Sequence, residues 1–484
     1  MTGQYDVVVL GGGAAGCVLA ARLSEDPNRR VCLVEAGPDY GALASGGWPR
    51  DLLDPHQLPD SHDWLYDEGL GWSARVIGGC SAHNACVITW GADADYDEWG
   101  KGWSARVLEP YRRTAEAVIG AARRERPGVW HEAVLEAAVE AGFAALDDLD
   151  GAARGAGAAR VNERGGVRWN AALAYLDPAR DRPNLTIIDR ATADRVELRG
   201  TTVRGAWIVR EGARRLLEAP TVVVCAGAYG SPAILLRSGI GAPEGLRAAG
   251  VEPVVALPAV GANLRNHFTT RIMLTPGPGV ADAIAAEHAS GGVPAAGTIV
   301  KAASPLCEPG LWDLHLMAIC WGVRDDSGAL TGDYLLRIAA AAMRPRSAGA
   351  VRLRSADPEA LPEIDHQPLS DPRGENLRML RDGIRYARRI AGAASLRALG
   401  VVEEAPGDLP DAALDDHVRG SLGSYCHPVG TCAIGSVVGG PGAVHGIDGL
   451  YVADASIIPT IPRANTHLTA LAVAERIADR LTRG

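Results

Sequence analysis

Two histidines stand where proton chemistry could be done. His427 lies in Tyr425-Cys426-His427-Pro428-Val429-Gly430-Thr431, and His467 lies in Asn465-Thr466-His467-Leu468. An imidazole, with an unperturbed pKa of about 6.5, can accept a proton from a weakly acidic hydroxyl near neutral pH, help worth roughly 10²–10⁴-fold. The two histidines are 40 residues apart, so spacing alone does not bring them together. A second kind of chemistry is written at the other end of the chain. Gly11, Gly13 and Gly16 form G-x-G-x-x-G, and Glu35 follows 19 residues after Gly16. In such a motif the first glycine allows a tight turn, the second lets the backbone approach a pyrophosphate, and the third lets helix and strand pack closely. The helix that follows offers N–H groups and a positive dipole end to phosphates, and the acid can accept hydrogen bonds from a ribose diol. The motif alone does not distinguish FAD from NAD.

The surrounding elements are those the motif requires. Residues 5–10 (YDVVVL) are a continuous apolar run, as in a buried parallel strand, and residues 16–26 have helical spacing. Residues 31–35 (VCLVE) read as the second strand. Further strand-like runs are 186–189, 221–225 and 450–453, and residues 467–482 place Leu468, Leu471, Ala474, Ile477 and Leu481 on one helical stripe. The Pro- and Gly-rich stretches at 274–280 and 403–410 read as loops. Strand-like runs near the start, middle and end of the chain suggest one domain assembled from distant segments, with a second inserted between them.

Composition narrows the class. The chain has 484 residues, 47% hydrophobic and 22% charged, enough to bury a sizeable core. Its formal charge of −10 lacks the electrostatic footprint of a nucleic-acid binder. No run approaches the roughly 18 apolar residues of a membrane span. The start, MTGQYDVVVLGGG, enters a strand directly without secretory features, and the nine cysteines are scattered and odd in number. A disulfide framework is therefore disfavoured and a cytoplasmic location expected. Cys80 and Cys86 have no zinc-like partners and read as packed thiols, so no metal is assigned.

Four further segments decide the cofactor: 75–91 (RVIGGCSAHNACVITWG), 226–241 (AGAYGSPAILLRSGIG), 257–267 (LPAVGANLRNH), and 424–475, which contains SYCHPVGTCAIG, YVADASIIPTIPRANTH and LTALAVAE. Together with the glycine motif they resemble the glucose–methanol–choline (GMC) oxidoreductases, a family of FAD enzymes. The resemblance runs from the N-terminus to the last helix and is weaker over about 100–185 and 270–420. It implies an α/β fold: a Rossmann-type FAD-binding domain assembled from discontinuous segments (1–110, 180–265 and 425–484), plus an α+β substrate domain with an antiparallel sheet (111–179 and 266–424).

The resemblance also implies roles. Gly78, Gly79 and Asn84 would contact the flavin. His83 stands where most members carry a small or apolar residue, and the stretch from Gly78 to Asn84 is similar to the flavin loop of the choline-oxidase branch. There the histidine is joined to the flavin 8α-methyl group; a buried histidine that only hydrogen-bonds near the ring is the other reading. Val196 resembles the residue whose backbone meets the adenine, Ala226 and Gly227 the turn near the adenosine, and Asp454 and Ala455 the segment meeting the ribityl chain and pyrophosphate. For Asp454 a turn-capping carboxylate is the alternative. His427 is expected to act as base and His467 to hold the substrate oxygen; counting back eight residues from Glu475 selects His467 over Asn465. His267 reads as structural. The implied reaction is oxidation of a primary or secondary alcohol to the carbonyl by hydride transfer to flavin N5, electrons passing to O2 or another acceptor. A hydroxynitrile-lyase-like flavoprotein is the alternative.

Overall fold

The computed structural model describes residues 4–59, 61–66, 70, 72–124, 127–290, 292, 294–324 and 330–483. A five-stranded parallel sheet has the order Leu450–Val452, Thr221–Val224, Val7–Leu10, Val31–Val34, Leu185–Ile188. Its strands are short apolar runs because side chains on both faces are covered; Val8, Val9, Leu33 and Val223 are wholly buried. The helix Ala14–Leu23 packs on the last helix, Thr466–Arg483, which in turn packs on the helix Ala105–Ile119. Polar ties fix these helices: Arg22 pairs with Glu475 at 2.8 Å, the Tyr175 hydroxyl donates to Glu475 at 2.9 Å, and the Tyr111 hydroxyl donates to Asp479 at 2.8 Å. The discontinuous assembly inferred from the strand pattern is thus the observed topology. An antiparallel meander, Ala191–Arg199, Thr202–Arg210 and Ala213–Glu218, stands between the third and fourth sequence segments of the sheet.

The second sheet is antiparallel and seven-stranded. Its order is Val402–Ala405, Phe268–Thr275, Leu330–Ala342, Leu314–Arg324, Ala296–Ala302, Gly155–Ala158, with Gly423–Ser424 also pairing to Phe268–Thr275. Side chains alternate between its faces. Leu336, Ile338, Ala340 and Ala342 pack with Met379, Leu380 and Ile384 of the helix Glu375–Ala391. Ala339, Ala341 and Met343 belong instead to a cluster with Trp312, Met317 and Tyr425 on the face towards His427. A one-residue slip would exchange the two sets, so burial on both sides sets the register.

Two expectations change. The stretch 274–280 is not a loop: it holds the end of the strand Phe268–Thr275 and the start of the helix Pro278–Ser290. Proline is tolerated at a first helical position, where its missing N–H has no partner to lose. The boundaries of the inserted unit also shift, because Ala115, Ile119 and residues Ala171–Leu176 pack in the core of the parallel sheet rather than under the antiparallel one. The helix Ala105–Ile119 carries its small and aliphatic residues on one stripe, and that stripe faces the last helix. Among the described residues no helix is long and apolar enough to cross a membrane.

Candidate active site

The glycine turn and the flavin-loop motif meet. Gly16 begins so close under the first strand that a Cβ there would lie 1.9 Å from the Gly11 carbonyl oxygen. Gly79, at φ +55°, passes over the turn, where a Cβ would come within 2.7 Å of the Gly13 Cα. The Gly78 N–H donates to the Gly12 carbonyl at 2.7 Å. At Gly13, beside the helix N-terminus, a Cβ would be in ordinary contact with the Gly79 Cα at 3.9 Å and the Cys225 carbonyl oxygen at 4.0 Å. Glu35 is buried at the end of its strand. Its Oε2 accepts from the Gly12 N–H at 2.8 Å and its Oε1 from the Gly37 N–H at 2.7 Å, with lone pairs left on both oxygens. Burial pushes its pKa up against these backbone bonds.

The other predicted contacts are placed unequally. Gly227 (φ +76°) donates its N–H to Asp454 Oδ2 at 2.8 Å, and Ala226 donates to the Ser231 hydroxyl at 3.0 Å. Asp454 also accepts from Ser231 Oγ at 2.5 Å and from the Ser456 N–H at 2.8 Å. Its carboxylate therefore caps the turns at Gly227 and at the short helix Ala455–Ile457. The Val196 N–H is taken by Ser238 Oγ at 2.8 Å, and Val196 lines a cavity of about 540 Å³ together with Asp194, Arg237, Ser238, Val251 and Glu252.

His83 is buried beside Trp72, ring centroids 5.7 Å apart, and its Nε2 has no hydrogen-bond partner among the described residues. Burial holds its pKa at about 4, against a smaller upward pull from the Ser61 backbone, so the ring is neutral at pH 7 with an unshared ring nitrogen. Arg168 straps this loop. It is fully buried, faces no carboxylate partner among the described residues, and donates to the carbonyls of Asn84 and Gln57, each at 2.5 Å, and to that of Asp54. Its positive charge also disfavours protonation of His83. Cys80, expected to be packed, is exposed, whereas Cys86 is buried. Among the described residues no group of His, Cys, Asp and Glu could hold a metal ion.

His427 is brought to this loop by antiparallel stitching. Arg265 and Val429 exchange backbone hydrogen bonds of 3.0 and 2.9 Å, and Tyr425 donates its N–H to the His267 carbonyl at 2.9 Å. The His427 N–H donates to Asn266 Oδ1 at 2.9 Å. The His427 ring stacks at a tilt on Tyr425, 4.2 Å between centroids, and its Nδ1 lies 2.9 Å from His267 Nδ1. Burial alone pushes its pKa down to about 3.

The partner across from His427 differs from the one expected. Asn465 Nδ2 lies 3.4 Å from His427 Nε2, while His467 Nδ1 lies 3.3 Å from Asn84 Nδ2. Asn465 precedes the helix Thr466–Arg483, whereas His467 is its second residue and turns away towards the flavin loop. Asn84 Oδ1 is taken by the Cys86 N–H at 3.0 Å, so the Asn84 amide donates to His467 Nδ1 and the His467 proton lies on Nε2, which has no partner. Burial holds His467 at about 4. Sequence reading set Asn465 aside in favour of His467, read His267 as structural, and did not single out Tyr425 or Thr89. The signal for Asn465 was its place immediately before the helix.

Among the described residues, the buried, unpartnered nitrogens on His83 and His467 and the lone pairs left on Glu35 are what a flavin dinucleotide would satisfy, so the residues present fit that cofactor. The N- and C-terminal GMC oxidoreductase family models match residues 5–269 and 345–474. The chain belongs to the GMC oxidoreductase family, FAD-dependent oxidoreductases that act on CH–OH groups. The oxygen-dependent choline dehydrogenase 1 of Chromohalobacter salexigens is 32% identical over 540 residues, covering 99% of this chain and 95% of that one. A pyridoxine 4-oxidase structure from Mesorbium loti aligns with a TM-score of 0.82 at 27% identity, over 99% of this chain and 100% of that one. A formate oxidase shares the fold with a TM-score of 0.87 at 24% identity, over 100% of this chain and 99% of that one.

Proposed function

We propose that this enzyme oxidises a primary or secondary alcohol to the carbonyl compound, with His427 as the base and Asn465 as the group that orients the alcohol oxygen. Gly11, Gly13, Gly16 and Glu35 would hold the adenosine and pyrophosphate of FAD, with Ala226, Gly227, Asp454 and Ala455 shaping the adjoining turns and the Val196 backbone towards the adenine. Gly78, Gly79, Asn84 and His467 would meet the flavin, and His83 would carry it through Nε2. FAD, when bound, supplies the acceptor for the substrate hydride and passes the electrons to O2 or another oxidant.

The observation that carries the reading is the contact between Asn465 Nδ2 and His427 Nε2. An amide NH2 can only donate, so it marks Nε2 as bearing a lone pair. A hydroxyl oxygen placed between them would accept from Asn465 and give its proton to His427 as hydride leaves carbon. Burial keeps His427 unprotonated and so ready to accept at neutral pH. The contact of His467 with Asn84 supports a role for it towards the cofactor instead of the substrate.

Mixing the anaerobic holoenzyme with choline, pyridoxine or benzyl alcohol tests this reading. These probes span cationic, heteroaromatic and aromatic primary alcohols. Bleaching of the flavin band by at least one is expected, with peroxide on admitting air if O2 is the acceptor. Release of cyanide from a hydroxynitrile without any bleaching by alcohols would favour the lyase.

A further inference from the structure

Two imidazole nitrogens 2.9 Å apart cannot both carry protons, nor can both be bare, if they are to attract one another. His267 and His427 meet in this way through their Nδ1 atoms, both rings buried. Which ring holds the proton is decided at the far side of His427. Thr89 Oγ accepts from the Asn465 N–H at 2.9 Å and donates to Asn465 Oδ1 at 2.9 Å. That hydroxyl has one proton, and Asn465 Oδ1 receives it. The amide is therefore oriented with its NH2 towards His427, and His427 Nε2 must accept. A neutral His427 then carries its proton on Nδ1 and donates it to His267 Nδ1, which leaves the His267 proton on Nε2.

The residue before His267 completes the hold. Asn266 Oδ1 accepts the His427 backbone N–H at 2.9 Å, and Asn266 Nδ2 donates to Ser424 Oγ at 2.8 Å. Consecutive side chains thus grip the main chain and the ring of the same histidine. The other groups facing His267 are Tyr425 (ring centroids 6.2 Å), His315 and, at longer range, the Arg344 cation, with the Met343 backbone on its remaining side. Burial and these neighbours hold His267 neutral, so it can serve as an acceptor.

We propose that His267 is the positioning residue that fixes His427 in the Nδ1–H tautomer, keeping the Nε2 lone pair turned to the substrate hydroxyl; this rests on the reading of His427 as the base. Without an acceptor at His267 the buried Nδ1–H is left unpaired, and only the 3.4 Å contact from Asn465 Nδ2 opposes the other tautomer. The proton can then move to Nε2, where it blocks the reaction. A neutral imidazole partner orients the base without adding a negative charge behind it.

The test is ¹⁵N NMR of the holoenzyme labelled in its histidine rings, with His427→Gln identifying the His427 signals. The resting enzyme is expected to show protonated Nδ1 and bare Nε2 at His427, and His267→Leu should shift population to Nε2–H. Where one of the three alcohols bleaches the flavin, His267→Leu should lower kcat on the order of 10²-fold or more at little change in KM and with an unaltered flavin spectrum. His267→Gln, whose carbonyl can accept from Nδ1–H, should recover most of that loss. A resting His427 protonated on Nε2 overturns the proposal, even if every variant fails to fold. So does a flavin-loaded His267→Leu enzyme with the parent tautomer and the parent kcat. Parent turnover in His427→Gln would instead retire the base assignment and leave the tautomer measurement standing.

Discussion

The Thr89 hydroxyl and the Asn465 side chain and backbone form a closed hydrogen-bonded ring, 2.9 Å in each direction. It joins the segment after the strand Val87–Ile88 to the loop before the last helix. Through it the Asn465 amide has one orientation, with its donor towards His427. Asn465→Ala is therefore expected to lower kcat by roughly 10-fold or more, by loss of one or two hydrogen bonds to a reacting oxygen, and Thr89→Val by less. His467→Ala should weaken flavin retention more than chemistry. Stopped-flow reduction of the loaded variants separates these effects, and a larger loss of the reductive rate at His467 than at Asn465 would reverse the assignment.

Removing the base should leave a yellow, inactive protein. His427→Ala is expected to keep its flavin and lose about 10²–10⁴-fold in kcat. In the parent enzyme kcat/KM needs unprotonated His427, so it should fall as pH drops through that residue's pKa. Burial holds this pKa near 3, so the acid limb should lie well below the 6.5 of a free histidine. A limb at or above 6.5 would point to another group.

His83 offers a buried ring nitrogen with no partner among the described residues, in the loop that would meet the flavin. Acid precipitation of the parent protein is expected to leave the yellow colour in the pellet. The His83→Ala pellet should be white, with FAD in the supernatant. Colour released from both proteins would show that the flavin is held without a bond to His83.

Asp95 and Arg463 form a buried ion pair, and Asp95 Oδ2 also accepts the Arg463 N–H at 3.0 Å and the Ala92 N–H at 3.1 Å. Two residues further on is Asn465. Asp95→Asn leaves a buried guanidinium whose remaining carboxylate partner is the more exposed Glu308, at 2.8 Å. Breaking a buried pair from one side costs on the order of 3–5 kcal/mol. Urea unfolding should show that loss, and an unchanged midpoint would mean that water replaces the carboxylate.

Buried neutral histidines also make the fold sensitive to acid. His131 and His427 are held at about 4 and about 3, below the roughly 6.5 of an unfolded chain. Between these limits the unfolded chain binds protons that the native one refuses. Stability present above 6.5 is therefore lost as pH falls towards 4, by about 1.4 kcal/mol per pH unit for each such histidine. Urea midpoints at pH 7 and pH 5 check the slope; equal midpoints would contradict it.

The parts legible in the sequence are those whose cause is local. Gly11 to Gly16, the apolar run at 5–10 and the acid at Glu35 announce a strand, turn, helix and strand, because turn geometry and two-sided burial restrict residue type directly. His427 was legible as a motif, but its neighbours were not. His267 reaches it only because residues 265–267 pair antiparallel with 425–429, a tertiary event that no spacing records. Asn465 and His467 are two residues apart, and counting cannot tell which faces the base. The start of the helix at Thr466 and the tie to Thr89 decide it. The boundary at 110/111 cut through the helix Ala105–Ile119, whereas its whole buried stripe fits the last helix.

The strand Leu450–Val452 closes one edge of the parallel sheet, and the loop that follows carries Asn465 and His467 to residues encoded before position 90. On the ribosome, the emerging N-terminal half therefore has a glycine turn but no complete cleft around it. Neither this edge of the sheet nor the tie between Thr89 and Asn465 can form until residues 450–465 have been made. Acquisition of the yellow colour should accordingly await synthesis of that segment.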